Sequence, residues 1–373
     1  MINKLLECIR YLNRQRNLKV KPFKLAIKLA WLNRKKKVRT IFHPDEYHSV
    51  AILMNDQGIG DAIVTSYLIK SLRENGLKVY VIVEKRIAFL FEHFISVDGV
   101  LFYDRKKSIK QLKEQLQSTR IDVAIDLVDK GHNSVRRCQI IQAISPLHTI
   151  GFNQEKYKLY DTSISYHEYT SHVSTRSQKI LQLMNIQSEP IQYYINIPTD
   201  NEQFVRNFIK PILESNRKII IFNPYGSNEA RSFSNYQIDK TLSFLSQYDD
   251  CTTIVVGEPN KISHIEAKKN IIINPLPSFF DTVALVKYST LVISVDTSIV
   301  HIASIYNIRM ICVYNNRIID KQFINNFVWG PNYSNAIQIF TNDNLGTGLG
   351  DPIANLDMSI MLEQLKLEIK NYK

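Results

Sequence analysis

The sequence predicts an α/β chain: two Rossmann-like, doubly wound domains facing a central cleft, with a basic helical N-terminal arm ahead of them. Three observations carry this. Apolar runs alternate with stretches of helical period from Val50 to Phe152 and again from Lys218 to Tyr314, the pattern of parallel sheets covered on both faces. The first run enters a glycine turn, Asn55-Asp56-Gln57-Gly58-Ile59-Gly60, ahead of a helix, as nucleotide sites commonly do. The formal net charge of +12 sits in the first 40 residues.

The arm comes first. Residues 1–40 hold 13 of the 47 Lys and Arg and one of the 35 acids, so the remaining 34 bases and 34 acids cancel. A neutral body excludes nucleic acid as the expected partner, since a nucleic-acid binder carries a basic face of its own. Leu5, Leu6, Ile9 and Leu12 share one helical face; after Pro22, Leu25, Leu29 and Leu32 share another, with Phe23, Ile27, Ala30 and Trp31 nearby. No run reaches the ~18 apolar residues of a membrane span, and lysines interrupt every candidate signal-peptide core. A basic amphipathic arm ending in Lys35-Lys36-Lys37 reads as an anchor on an anionic membrane surface. The alternative is an arm whose apolar stripe packs on the body. Cys8, Cys138, Cys251 and Cys312 stand apart from one another, without metal-ligand spacing, and read as reduced thiols rather than a zinc site.

In the first half the pattern predicts strands at Val50–Met54, Val79–Val83, Gly99–Tyr103, Val123–Leu127 and Thr149–Phe152. Helices are expected at Asp61–Asn75, Arg86–Ile95, Ile109–Ser118 and Ser134–Ile144. The pattern loosens over Gln192–Arg217, where Pro198 and Pro211 flank a helical stretch; this is the candidate linker. Alternation then resumes. Strands fall at Lys218–Asn223, Thr253–Val256, Ile271–Ile273, Leu291–Ser294 and Met310–Tyr314, with helices at Tyr236–Gln247, Lys261–Lys269, Phe280–Tyr288 and Ile299–Tyr306. A last helix, Ser359–Lys370, is expected to fold back across the halves. The predicted division is 1–48, 49–197, 198–350 and 351–373.

The glycine turn meets two of the three positions of G-x-G-x-x-G, through Gly58 and Gly60, but the third is Ile63; Glu84 ends the second strand where a ribose-binding acid would stand. Asp61 opposes a dinucleotide reading. A carboxylate at the start of the helix takes the N–H groups that would hold a pyrophosphate and repels a second anion. Asp61 is thus either a plain N-cap or, because the loop after a first strand points into the cleft, a base.

Three segments of the second half place polar groups at strand ends. Gly226-Ser227-Asn228 offers bare backbone and a hydroxyl, followed by Arg231, whose fork suits a diphosphate unless it is simply a solvated loop cation. Gly257-Glu258 ends a strand, where the carboxylate can accept from ribose hydroxyls or stand exposed at a helix start. Leu291–Val295 runs into Asp296-Thr297-Ser298 and a helix bearing His301, an anion site made of hydroxyls and helix N–H groups.

These residues resemble the bacterial heptosyltransferases of lipopolysaccharide core assembly, glycosyltransferase family nine. The marks are Gly60-Asp61, the K-x-W-P-like Arg231-Ser232-Phe233-Ser234, and the D-[ST]-G-x-x-H-like Asp296-Thr297-Ser298-Ile299-Val300-His301. Weaker echoes run through "VAIDLVDKGHNSVRRCQIIQAISPLHTIGFN" and "HVSTRSQKILQLMNI", and the likeness spans Val50 to Asn316. The resemblance implies a GT-B type enzyme, with an acceptor half first and a nucleotide-sugar half second. It implies inverting transfer without metal or cofactor, from an ADP-sugar such as ADP-heptose to a lipid-linked glycan on the inner face of the bacterial cytoplasmic membrane. It implies Asp61 as catalytic base beside acceptor-binding Gly60, with Ser227, Arg231, Glu258, Asp296, Thr297, Ser298 and His301 holding the donor. Ser298 stands where the family has Gly, Phe233 where it has Trp and Ser234 where it has Pro. These departures favour, as an alternative, a non-catalytic nucleotide-sugar or glycan binder at the membrane; a nicotinamide enzyme is the third reading.

Overall fold

The computed structural model describes residues 41–54, 57–92, 97–104, 109–129, 135–316, 318–319, 323–341 and 351–370, and within the arm 16, 20, 23–24 and 26–31. In the first half β1 (Ser49–Leu53), β2 (Lys78–Glu84), β3 (Gly99–Tyr103), β4 (Val123–Asp129), β5 (His148–Phe152) and β6 (Thr162–Ile164) form a parallel sheet in the order β3-β2-β1-β4-β5-β6. The second half supplies β7 (Lys218–Asn223), β8 (Cys251–Val255), β9 (Ile271–Ile273), β10 (Leu291–Val295) and β11 (Arg309–Tyr314). A two-stranded hairpin, β12 (Ile318–Ile319) and β13 (Phe323–Ile324), precedes β14 (Ala336–Phe340), and the second parallel sheet runs β14-β11-β10-β7-β8-β9. Each sheet sets its first strand beside its fourth, so the connections reverse direction between β1 and β4 and between β7 and β10. Such reversals open a crevice at the carboxyl ends of the strands.

Beyond the arm, the helices among the described residues are α1 (Ile59–Glu74), α2 (Ala88–Phe91), α3 (Lys110–Gln115), α4 (Val135–Ile144), α5 (Thr175–Leu183), α6 (Thr199–Glu214), α7 (Asn235–Leu245), α8 (Pro259–Ile262), α9 (Phe279–Lys287), α10 (Ser298–Ile305), α11 (Asn325–Val328) and α12 (Met358–Lys370). Alternate strand residues feed opposite faces. Val50 and Ile52 of β1, and Ile219 and Ile221 of β7, join one core; Ala51 and Leu53 pack beneath α4, and Ile220 and Phe222 pack with α7 and α12. The shared core takes in α1, α5, α6, α9 and α10, so the two halves are joined by buried apolar surface. Among the described residues no helix is long and apolar enough to cross a membrane.

Several predicted elements change. The helix expected at Arg86–Ile95 is a turn of 3-10 helix followed by the short α2, with 93–96 outside the described residues. Lys261–Lys269 forms only α8 before the chain turns, and β6, α5 and β14 went unpredicted. Pro211 lies inside α6 rather than beyond it. The carbonyl of Asn207, which its missing N–H would have met, belongs to an exposed residue where water can serve it. Helix α12 does not cross the halves: Met361, Leu365 and Ile369 pack on the second sheet, and Glu368 binds Arg309 at the start of β11.

Candidate active site

A cleft of about 1230 Å³ lies at the carboxyl ends of both sheets, bordered by the segments after β1, β7 and β10 at the two reversals. Gly60, Asp61, Ser227, Arg231, Glu258, Asp296, Thr297, Ser298 and His301 all line it.

On the first-half side the helix start differs from the sequence reading. Gly58, in extended conformation at φ −105°, is the N-cap of α1, and Asp61 is the third helical residue. Its Oδ2 accepts the N–H of Gly58 at 2.7 Å, the reverse half of a capping box, since glycine has no side chain to supply the other half. The carboxylate still holds N–H groups that an incoming phosphate would use. Burial raises the Asp61 pKa; the Gly58 and Asp61 N–H groups and the charge of Arg86 pull it back, and Asp296 across the cleft pushes it up again. Arg86 is fixed by Glu84 Oε2 at 2.9 Å and by donation from Nη2 to the Gln57 carbonyl at 2.9 Å. Glu84, the acid a dinucleotide would need, is therefore committed to Arg86.

On the other side Thr297 caps α10, its Oγ1 accepting from the N–H of Ile299 at 3.3 Å and from Asn223 Nδ2 at 2.8 Å. Ser298 is the first helical residue. Arg231 is not a solvated cation. Its Nη2 lies 2.5 Å from Asp296 Oδ2 and donates to the Asp296 carbonyl at 2.8 Å, while Nη1 donates to Ser227 Oγ at 3.1 Å. Asn325 Nδ2 also donates to Asp296 Oδ2, at 2.8 Å, so the buried carboxylate is neutralised within the protein. The buried Nε of Arg231 has no partner among the described residues. Gly226 is required here, because a Cβ would stand 2.4 Å from the Arg231 carbonyl oxygen. Glu258 is 66% exposed at the rim and pairs with Lys261 at 2.9 Å.

The two helix starts meet. A Cβ on Gly60 would lie 3.2 Å from His301 Cδ2 and 3.8 Å from the Ser298 Cα, so glycine lets α1 approach α10. His301 is buried, its ring about 6.3 Å from those of His172, Tyr193 and Trp329, and its Nδ1 has no partner among the described residues. Burial lowers its pKa to about 3 and that of His172 to about 4, so both are neutral at physiological pH. Sequence reading missed Arg86, Asn223, Asn325 and His172. It also missed Arg137, paired with Asp126 at 3.4 Å, and Arg176, which donates to the Leu127 carbonyl at 2.8 Å; both line the cleft from the first half. Asn223 alone left a signal, as the polar residue ending an apolar strand. Among the described residues no group of three His, Cys, Asp or Glu is arranged to hold a metal.

Comparisons with known proteins agree with this architecture. The chain is 25% identical over 317 residues to "Putative lipopolysaccharide heptosyltransferase 4" of Escherichia coli (strain K12), covering 83% of this chain and 86% of that one. Its fold is similar to the glycosyl transferase family 9 structure from Veillonella parvula, with TM-score 0.70 and 14% identity over 87% of this chain and 98% of the other. It is also similar to E. coli ADP-heptose lps heptosyltransferase II, with TM-score 0.67 and 14% identity over 87% and 99%. The profile of Glycosyltransferase family 9 (heptosyltransferase) matches residues 109–343, which hold the Arg231 and Asp296–His301 segments but not Asp61. With well over half its length matched and two doubly wound halves closing on one cleft, the chain is a glycosyltransferase and belongs to family 9, the heptosyltransferases.

Proposed function

We propose that this chain transfers a heptose or related sugar, with inversion, from a nucleotide-diphosphate donor to a lipid-linked glycan of the lipopolysaccharide or lipooligosaccharide type, at the inner face of the bacterial cytoplasmic membrane. The observation that carries the reading is the Asp61 carboxylate on the cleft wall, opposite the N-terminus of α10. ADP-sugar as donor and lipopolysaccharide as acceptor are supported by the names of the relatives, which specify ADP-heptose and lipopolysaccharide.

In this mechanism the acceptor hydroxyl attacks the anomeric carbon, Asp61 takes its proton, and the bond from that carbon to the diphosphate oxygen breaks with the electron pair leaving on the nucleotide. Asp61 belongs to the neutral-acceptor side. The growing negative charge is met by the backbone N–H groups at the start of α10, the Thr297 and Ser298 hydroxyls, and the N–H groups of Arg231 left over from Asp296. Glu258 at the rim suits ribose hydroxyls, and His301 the sugar. The reading assigns no step to a metal; turnover unchanged by a chelator is the expected result. Asp61→Asn is expected to lower kcat by about 10²–10⁴ while leaving ADP affinity within a few fold. A variant that keeps half its kcat would make Asp61 a structural cap only. One observation favours the non-catalytic alternative, the Ser298 side chain standing where the family has glycine. Release of ADP from ADP-heptose in the presence of a core-oligosaccharide acceptor decides between the two.

A further inference from the structure

Residues 20, 23–24 and 26–31 of the arm are helical, and their apolar side chains divide between two sides. Leu29 is 5% exposed and packs on Cys138, with Val135, Tyr157 and Leu159 around it, so the helix is docked on the first half. This overturns the expectation that Leu29 belongs to a surface-binding stripe; Leu25 and Leu32, expected beside it, lie outside the described residues. On the opposite side Val20, Phe23, Ile27 and Trp31, spaced for one helical face, are 38, 67, 54 and 56% exposed. Lys24 and Lys28, also exposed, flank this row.

We propose that the Val20-Phe23-Ile27-Trp31 face is an insertion surface for anionic lipid, and that Leu29 locks it to the first half so that bilayer contact orients the cleft as well as tethering the enzyme. The occupant follows from charge. A stretch of 40 residues with 13 cations and one acid, on an otherwise neutral body, fits an anionic surface and repels a second copy of itself. The orientation follows from connectivity. Val135 and Cys138, which receive the arm, are on α4, and the same helix carries Arg137, which lines the cleft. A bilayer under the arm is thereby held in a fixed relation to the acceptor side. The use made of this contact rests on the lipid-linked acceptor proposed above, but its test reads membrane binding alone, so either can fail without the other.

The experiment uses the full chain with Cys8→Ser, and sedimentation with vesicles of phosphatidylethanolamine and phosphatidylglycerol against phosphatidylcholine. The wild-type surface should partition to the anionic vesicles, with Trp31 fluorescence quenched by brominated lipid; Phe23→Asp/Ile27→Asp should weaken partitioning about tenfold or more without lowering Tm. Cys138 reports docking. It is 5% exposed beneath Leu29, and burial holds its thiol up to about 11, so it should stay unreactive toward a thiol reagent on and off vesicles and become reactive in Leu29→Asp. Equal partitioning of the double variant, or of the wild type to neutral vesicles, overturns the surface. So does a dimer that the double variant dissociates in the absence of lipid. A Cys138 that reacts once vesicles are added overturns the locked orientation, since the arm would then peel away as a loose tether.

Discussion

Arg231 and Asp296 stand 65 residues apart in the chain and 2.5 Å apart in the cleft. Each was legible alone, as a polar residue following an apolar strand; their pairing was not, because nothing local encodes contact across two strands. The pair changes what each residue does. Asp296 near a helix N-terminus would repel an anion, but Arg231 and Asn325 absorb its charge, as the proposed donor placement requires. Removing Arg231 should therefore have two effects. Arg231→Ala is expected to weaken ADP binding by about 1.5–3 kcal/mol, roughly ten- to hundredfold. It should also lower stability, by less than the ~3–5 kcal/mol of a wholly buried broken pair because Arg231 keeps some contact with water. Adding Asp296→Asn should restore most of the stability and none of the affinity. Calorimetry with ADP and denaturant titration of the three variants check this. Recovery of both together would make Arg231 purely structural. The Asp61 position was read correctly as an occupied helix start, but the cap itself is Gly58, because only the backbone path shows that the helix begins two residues before Asp61.

At the scale of elements, α10 also joins the halves, since its His301 packs against the segment carrying His172 and against Gly60 of α1. Both histidines have pKa values lowered by burial, to about 3 and about 4 against an ordinary 6.5. A base held neutral in the folded state contributes stability that is complete above about pH 6.5 and is lost as the pH falls toward 4, where the unfolded chain takes up the protons. The slope is up to roughly 1.4 kcal/mol per pH unit for each histidine. Asp61, raised by burial, works in the opposite direction as the pH rises past its ordinary 3.8. Wild-type stability should fall between about pH 6.5 and 5, and His301→Gln should flatten the fall; equal losses in both proteins would remove the histidines from the account. The alternation of strands and helices was legible because most of the central strands are largely apolar runs, as in Ser49–Leu53, Lys78–Glu84 and Lys218–Asn223. The short helices α2 and α8, the edge strands β6 and β14 and the course of α6 through Pro211 were not, because neighbours and solvent decide them rather than local period.

The whole molecule is two sheets of the same winding order around one shared apolar core, to which α1 and α5 contribute from one half and α6, α9 and α10 from the other. Helix α6, which lies within the loosened stretch Gln192–Arg217, is tied to the second half: Asn201 donates to Asp281 at 2.7 Å, and Lys287 reaches Glu202 at 2.7 Å. A core continuous across the boundary couples the halves, so heating should give a single transition whose calorimetric and van't Hoff enthalpies agree. Two resolved transitions would mean that the seam contributes little.

The Gly60–His301 contact also bears on how far such enzymes are modular. A chain built of two halves of the same winding order invites exchange of one half for another. Here the boundary is a fitted surface, with a residue lacking a side chain on one face and a buried ring on the other. A chimera joining this first half to a relative's second half would inherit one side of that fit without the other. Its designer would have to carry Gly60, Ser298 and His301 across as one unit, and what passes between the halves in evolution should be subject to the same constraint.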